Sequence, residues 1–174
     1  GNDRFSPDDS LTRAMLAVIL WRIEGSQDAS RTVTFTDTSA NAWYADGLSW
    51  CAEKGLFAGY PNGSFGPDDA VTREQLAIVF FRYAEKTGAV PSGQVGHATF
   101  KNGCPWAADA CDWANEHGLF TDAIGTLDLC APASRAEIAY LLDQYFPSEA
   151  SPSALIENSF DSMGYLLYTP ANAT

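Results

Sequence analysis

Three short pairs, Thr12-Arg13, Thr72-Arg73 and Ser134-Arg135, could each bring a hydroxyl and a guanidinium to bear on one anion. They recur at intervals of 73 − 13 = 60 and 135 − 73 = 62 residues, and each opens an apolar segment of helical period. Ser and Thr are good helix N-caps because the side-chain oxygen accepts from a first-turn N–H. Gln75 and Glu137, three positions after Thr72 and Ser134, add the capping-box pattern, in which side chain and backbone satisfy each other's free donors. Each arginine then falls in the first helical turn, where the helix dipole disfavours a cation. Such a placement makes sense where the guanidinium and the free backbone N–H groups face a negative group together. The competing reading pins each arginine to acids just upstream, Asp8 and Asp9 or Asp68 and Asp69. The third pair favours an anion from outside, since Leu129 to Ser134 contains no acid.

Other chemistry is thinly represented. The net charge of −12 argues against nucleic acid, whose phosphates attract clustered Lys and Arg. It also means that an anionic partner requires the few arginines to converge locally. No apolar run approaches the ~20 residues of a membrane-spanning helix. Cys51, Cys104, Cys111 and Cys130 form no CxxC pair, and His97 and His117 are not spaced as paired metal ligands, so no metal is expected. One or two disulfides in an exported protein fit better, with Cys104 or Cys111 joined to Cys130 and Cys51 left as a buried thiol. There is no Ser-His-Asp order and no acid pair on a recognisable scaffold, so residues 1–146 are expected to be nonenzymatic and to hold no cofactor.

The elements that position the arginines read as a repeat. The fullest unit starts at Phe35-Thr36-Asp37 and continues through Trp43, Gly47, Trp50, Cys51 and Lys54, at helical spacing, with Gly55 as C-cap. The third copies it at an offset of 63: Trp106, Ala110, Trp113, Ala114, His117 and Gly118. Gly59-Tyr60-Pro61-Asn62-Gly63-Ser64-Phe65-Gly66-Pro67-Asp68-Asp69 is rich in turn formers and reads as a compact loop plugged by Phe65. It lacks the ligand spacing and closing Glu of a calcium loop. The helices after the arginines carry superposable apolar stripes: Leu16, Ala17, Leu20 and Ile23; Leu76, Ala77, Phe80 and Tyr83; Ile138, Ala139, Leu142 and Tyr145. The alanine in each stripe would let three such helices approach closely around one axis and bury all the stripes together. Aromatic residues of the repeat are assigned to this core. The organisation expected is a partial repeat over 1–26, full repeats over 35–88 and 98–146, and a linker with a possible further domain over 147–174.

The ordered motifs of Phe35-Thr36-Asp37, Gly59-Tyr60-Pro61, Gly63, Phe65, Pro67 and Val71-Thr72-Arg73-Glu74 resemble the S-layer homology domain, whose pattern is F-x-D, a G-Y-P-x-G-x-F-x-P loop and a T-R-A-E helix. The likeness runs from about Gly1 to Phe146. It implies an all-α fold: three helix-loop-helix repeats in pseudo-threefold arrangement around a central three-helix bundle. It also implies noncovalent anchoring of an exported bacterial protein to the cell wall, through anionic secondary wall polysaccharide that often ends in pyruvylated sugars; independently of the resemblance, a monomer is expected. By position the sugar contacts would be Arg13, Arg73 and Arg135, with Thr12, Thr72, Ser134 and Gly59 beside them. Asn102 in place of the F-x-D aspartate, Met15 in place of the T-R-A-E glutamate, Glu74-Gln75 in the same motif of the second repeat and the degenerate loop Thr121 to Cys130 depart from the pattern. A rival function is a structural or protein-interaction module whose sugar sites have decayed. Tyr165 to Pro170 resembles the first strand of some esterase-type α/β-hydrolases and would open a following domain; the alternative packs this tail against the incomplete first repeat.

Overall fold

The computed structural model describes residues 6–30, 32–90, 98–120 and 126–145. The tail over 147–174, with its hydrolase-like and packing alternatives, lies outside them. The described chain is mainly helical. In order, it comprises α1 (Arg13–Ile23), α2 (Ala45–Glu53), α3 (Arg73–Thr87), β1 (Thr99–Lys101), a 3-10 turn (Pro105–Ala107), α4 (Ala108–Glu116), β2 (Thr126–Asp128) and α5 (Arg135–Tyr145). The expectation of helices and loops alone misses one small sheet. β1 and β2 pair in parallel with Phe100 opposite Leu127. Three-residue strands carry too short an alternation to register as a pattern.

Local chemistry sets the helix ends. Thr12, Thr72 and Ser134 cap α1, α3 and α5, accepting from the N–H groups of Met15, Gln75 and Glu137 at 3.3, 3.4 and 3.1 Å. The capping box is complete in one place: Glu137 Oε2 accepts from the Ser134 N–H at 2.7 Å. Gln75 does not reciprocate for Thr72, and its buried Oε1 has no hydrogen-bond partner. At the other ends, Gly55 and Gly88 take left-handed φ of +67° and +72°, which a side chain would strain.

The segments leading into α1, α3 and α5 join in a closed cycle. Antiparallel bridges link Thr12 to Ala70, Thr72 to Pro132 and Ser134 to Ser10. Within the cycle Val71 donates to Leu11, Ala133 to Val71 and Leu11 to Ala133 at 2.9, 2.8 and 3.4 Å. The same exchange closes the helix starts. The Arg13, Arg73 and Arg135 N–H groups donate to the carbonyls of Asp69, Ala131 and Asp9, and those of Ala14, Glu74 and Ala136 to Pro67, Leu129 and Pro7. With the third N–H held by the cap hydroxyl, the first three donors of each helix are already used. The expectation that free helix N–H groups join the guanidinium in facing an anion is therefore corrected: neighbouring loops occupy them.

The stripes are largely buried as expected, but the helices pack differently. Among the described residues the closest backbone packing is between α1 and α2 and between α3 and α4, rather than among α1, α3 and α5. Gly47, rather than the stripe alanines, permits this: a Cβ there would lie 2.9 Å from Val18 Cα. α3 and α5 meet through large side chains, with the Phe80 and Tyr145 rings 4.8 Å apart and Tyr145 Oη donating to the Phe80 carbonyl at 3.3 Å. At ~1.5–3 kcal/mol for each fully buried large side chain, Leu16, Leu20, Leu76, Phe80, Ile138 and Leu142 supply much of the stability. Trp43 and Trp106 are 48% and 64% exposed and are not core residues. They precede the first turns of α2 and α4, so helical periodicity does not govern where they point.

The loop after α2 is built as predicted around Phe65, which is fully buried between Phe35 and Phe57 at ring separations of 5.4 and 5.7 Å. Asp37 fixes it from outside, its two oxygens accepting from the N–H groups of Phe65 and Gly66, each at 2.7 Å.

Candidate functional site

The three arginines share a sequence position and differ in environment. Arg13 is 4% exposed. Its side chain crosses into the loop after α2, with Nε donating to the Phe65 carbonyl at 2.7 Å and Nη2 to the Ala58 carbonyl at 2.9 Å. The Tyr60 and Phe65 rings lie 4.7 and 4.6 Å from the guanidinium carbon, so their π faces add favourable electrostatics. Among the described residues no carboxylate pairs with it, and Nη1 has no acceptor. Burial lowers its pKa, opposed by the electrostatic influence of Tyr60, Asp69 and Asp37. The upstream acids do not hold this cation.

Arg73 is neutralised, though by a neighbouring helix and not by Asp68 or Asp69. Its Nε and Nη2 donate to Glu137 at 2.7 and 3.1 Å, and Nη1 reaches the Asp128 carbonyl at 3.3 Å. Arg135 is half-buried at the start of α5.

Arg13 opens onto a groove of about 380 Å³ formed by the Leu56–Pro61 stretch, one face of α3 and Trp106. Gly59 lies in its floor, where a Cβ would stand 2.5 Å from the Phe35 ring and 2.8 Å from the Ser64 carbonyl, so this position admits glycine alone without rearrangement. Of the residues singled out from sequence, the groove therefore brings together Arg13 and Gly59. Thr12, Thr72 and Ser134 serve as caps, and neither they nor Arg73 and Arg135 line it. Sequence reasoning missed Tyr60, Gln75, Arg82 and Trp106. Arg82 Nη1 donates to the Leu56 carbonyl at 3.3 Å, placing a second cation in the wall. Trp106 could have been found by its position outside the helix it precedes; the departure of Gln75 from the T-R-A-E order was legible, but not its place in the groove.

The groove thus offers a cation with an unused donor, a second guanidinium, an unpaired amide oxygen and an exposed indole face. Such a surface suits an anionic, hydroxyl-bearing ligand.

Comparison with known proteins adds a family match and several relatives. Residues 34–77 match the S-layer homology domain. The chain is similar to a cellulosome-anchoring protein of Acetivibrio thermocellus, 36% identical over 93 residues that cover 51% of this chain and 21% of that protein. It is also similar to the surface-layer 125 kDa protein of Lysinibacillus sphaericus, 27% identical over 147 residues, 82% of this chain and 12% of that protein. An endoglucanase of a Bacillus species is 36% identical over 93 residues, 52% of this chain and 10% of the enzyme. The chain therefore spans about a fifth or less of the length of these relatives.

Proposed function

We propose that the chain anchors an exported protein to the cell wall by binding an anionic secondary wall polysaccharide in the Arg13 groove. One observation carries this reading: a guanidinium buried to 4% exposure, with no carboxylate partner among the described residues, forms the end of an open groove. An uncompensated buried cation is costly, and carbonyl and aromatic contacts offset only part of that cost. A ligand carboxylate supplies the missing counter-charge and accepts from Nη1, and the ketal acid of a pyruvylated sugar presents such a group beside a ring that Trp106 can cover. Gln75 Oε1 accepts from a sugar hydroxyl or amide, and Arg82 provides further positive potential against the acidic whole.

In the same reading the three repeats surround a pseudo-threefold axis through α1, α3 and α5; the closed cycle of bridges between their leading segments supports it. The module works as a monomer, and the rest of the protein's activity resides in attached sequence. At Arg73 the second reading, a structural role, is favoured, because Glu137 already fills the place that a ligand's carboxylate would take. Co-sedimentation with purified wall, before and after the acidic polymer is extracted, tests the proposal. Retention that depends on the polymer is expected; equal retention on extracted wall would overturn it.

A further inference from the structure

Four cysteines are free in this structure, and their surroundings divide them into two pairs. Cys51 and Cys111 are buried on helix faces, at 0% and 1% exposure. Cys51 Sγ lies 3.4 Å from the Ala17 carbonyl, and burial pushes the Cys111 thiol up to about 11. Neither is accessible to an oxidant.

Cys104 and Cys130 differ because the small sheet delivers them to one spot. The parallel register pairs Lys101 with Asp128, and the two cysteines follow these residues by three and two positions. Backbone bonds fix both: Cys104 N–H donates to Glu74 Oε2 at 3.0 Å, and Cys130 N–H to Asp128 Oδ1 at 3.1 Å. The two sulfurs and a Glu74 oxygen all lie within 4.8 Å of one another. Cys130 is exposed and Cys104 half-buried. Glu74 is 5% exposed, and its carboxylate disfavours a thiolate beside it, whereas a disulfide is neutral and takes no such penalty.

We infer that Cys104 and Cys130 form an intrachain disulfide in the exported protein, closing the third repeat across β1 and β2. With a small-molecule disulfide as oxidant, the Cys130 thiol loses its proton and attacks one oxidant sulfur, releasing one thiol. The Cys104 thiol then loses its proton and attacks the Cys130 sulfur of the mixed disulfide, releasing the second. Two protein thiols become one disulfide, and the oxidant is reduced to two thiols. Cys104 also caps the 3-10 turn that carries Trp106, so the bond tethers one wall of the groove at its base. The disulfide itself does not depend on the groove's ligand.

Treatment of the folded chain with oxidised glutathione, alkylation in denaturant and peptide mass mapping tests this. The expected result is a linked 104–130 peptide pair lighter by two hydrogens, with Cys51 and Cys111 alkylated. Reductant should lower Tm by ~5–10 °C in the wild type and leave Cys104→Ser unaffected. Four alkylated cysteines, a linkage through Cys51 or Cys111, or a Cys130-linked dimer would overturn the inference. So would stoichiometric zinc in the purified protein that Glu74→Gln removes, because the same three side chains would then be metal ligands. Mapping of the wild type decides the matter even if the serine variant does not fold.

Discussion

Glu137 of α5 grips Arg73 of α3, Oε1 accepting from Nε at 2.7 Å and Oε2 from Nη2 at 3.1 Å. Glu137 stands two residues after the arginine that opens its helix. At that place in α3 stands Gln75, which lines the groove with Arg13. A carboxylate in one position and an amide in the other thus separate a neutralised guanidinium from an available one.

The availability of Arg13 should be visible as a split between variants. Arg13→Gln should weaken wall retention ~10–100-fold, the range for loss of a charge-assisted hydrogen-bond partner. Gln75→Glu should do likewise, by placing an anion where the ligand's would go, and Arg73→Gln should change retention little. Sedimentation isotherms on purified wall measure all three. Equal losses for Arg13→Gln and Arg73→Gln would contradict the distinction.

Glu137→Gln loses the ion pair and weakens the capping box together. Because the pair is 19% and 36% exposed, its own share is ~0.5–1 kcal/mol, and the cap adds about 1 kcal/mol. Chemical denaturation should show destabilisation of ~1–2 kcal/mol without loss of retention on the wall.

Trp106 is 64% exposed, so Trp106→Ala should alter stability by no more than about 0.5 kcal/mol. Retention should nonetheless fall, because the indole face forms one side of the groove. A variant that unfolds normally and still binds fully would remove Trp106 from the site.

Gly59→Ala should cost ~1–3 kcal/mol, since the new methyl meets the Phe35 ring and the Ser64 carbonyl. Thermal unfolding of this variant reports loop packing. A Tm equal to wild type would show that the loop can move away.

Asp37 gives the loop an acid sensitivity. Partial desolvation raises its carboxyl pKa, but the N–H groups of Phe65 and Gly66 outweigh that and hold it below the usual carboxylate value. Since the folded value is the lower one, the contribution to stability is present above the unfolded carboxylate's pKa, about 4, and is lost as pH falls through the folded value. Asp37→Asn should flatten the pH dependence of Tm below pH ~4. An unchanged acid limb would show that other carboxylates dominate.

The sequence by itself determined the helix starts, the apolar stripes and the Phe65 loop. Each rests on local chemistry: hydroxyl caps at Thr12, Thr72 and Ser134, a period near 3.6, and glycines where φ turns positive. It also marked Arg13, Arg73 and Arg135 as equivalent. Only the tertiary structure made them unequal, because what surrounds each guanidinium comes from residues roughly 45 to 65 positions away, such as Ala58, Phe65 and Glu137. The short sheet, the occupation of the helix N–H groups by neighbouring loops and the exposure of Trp106 were decided in the same way. Periodicity records which face of a helix is apolar; it does not record which chain segment arrives to satisfy a donor or a charge.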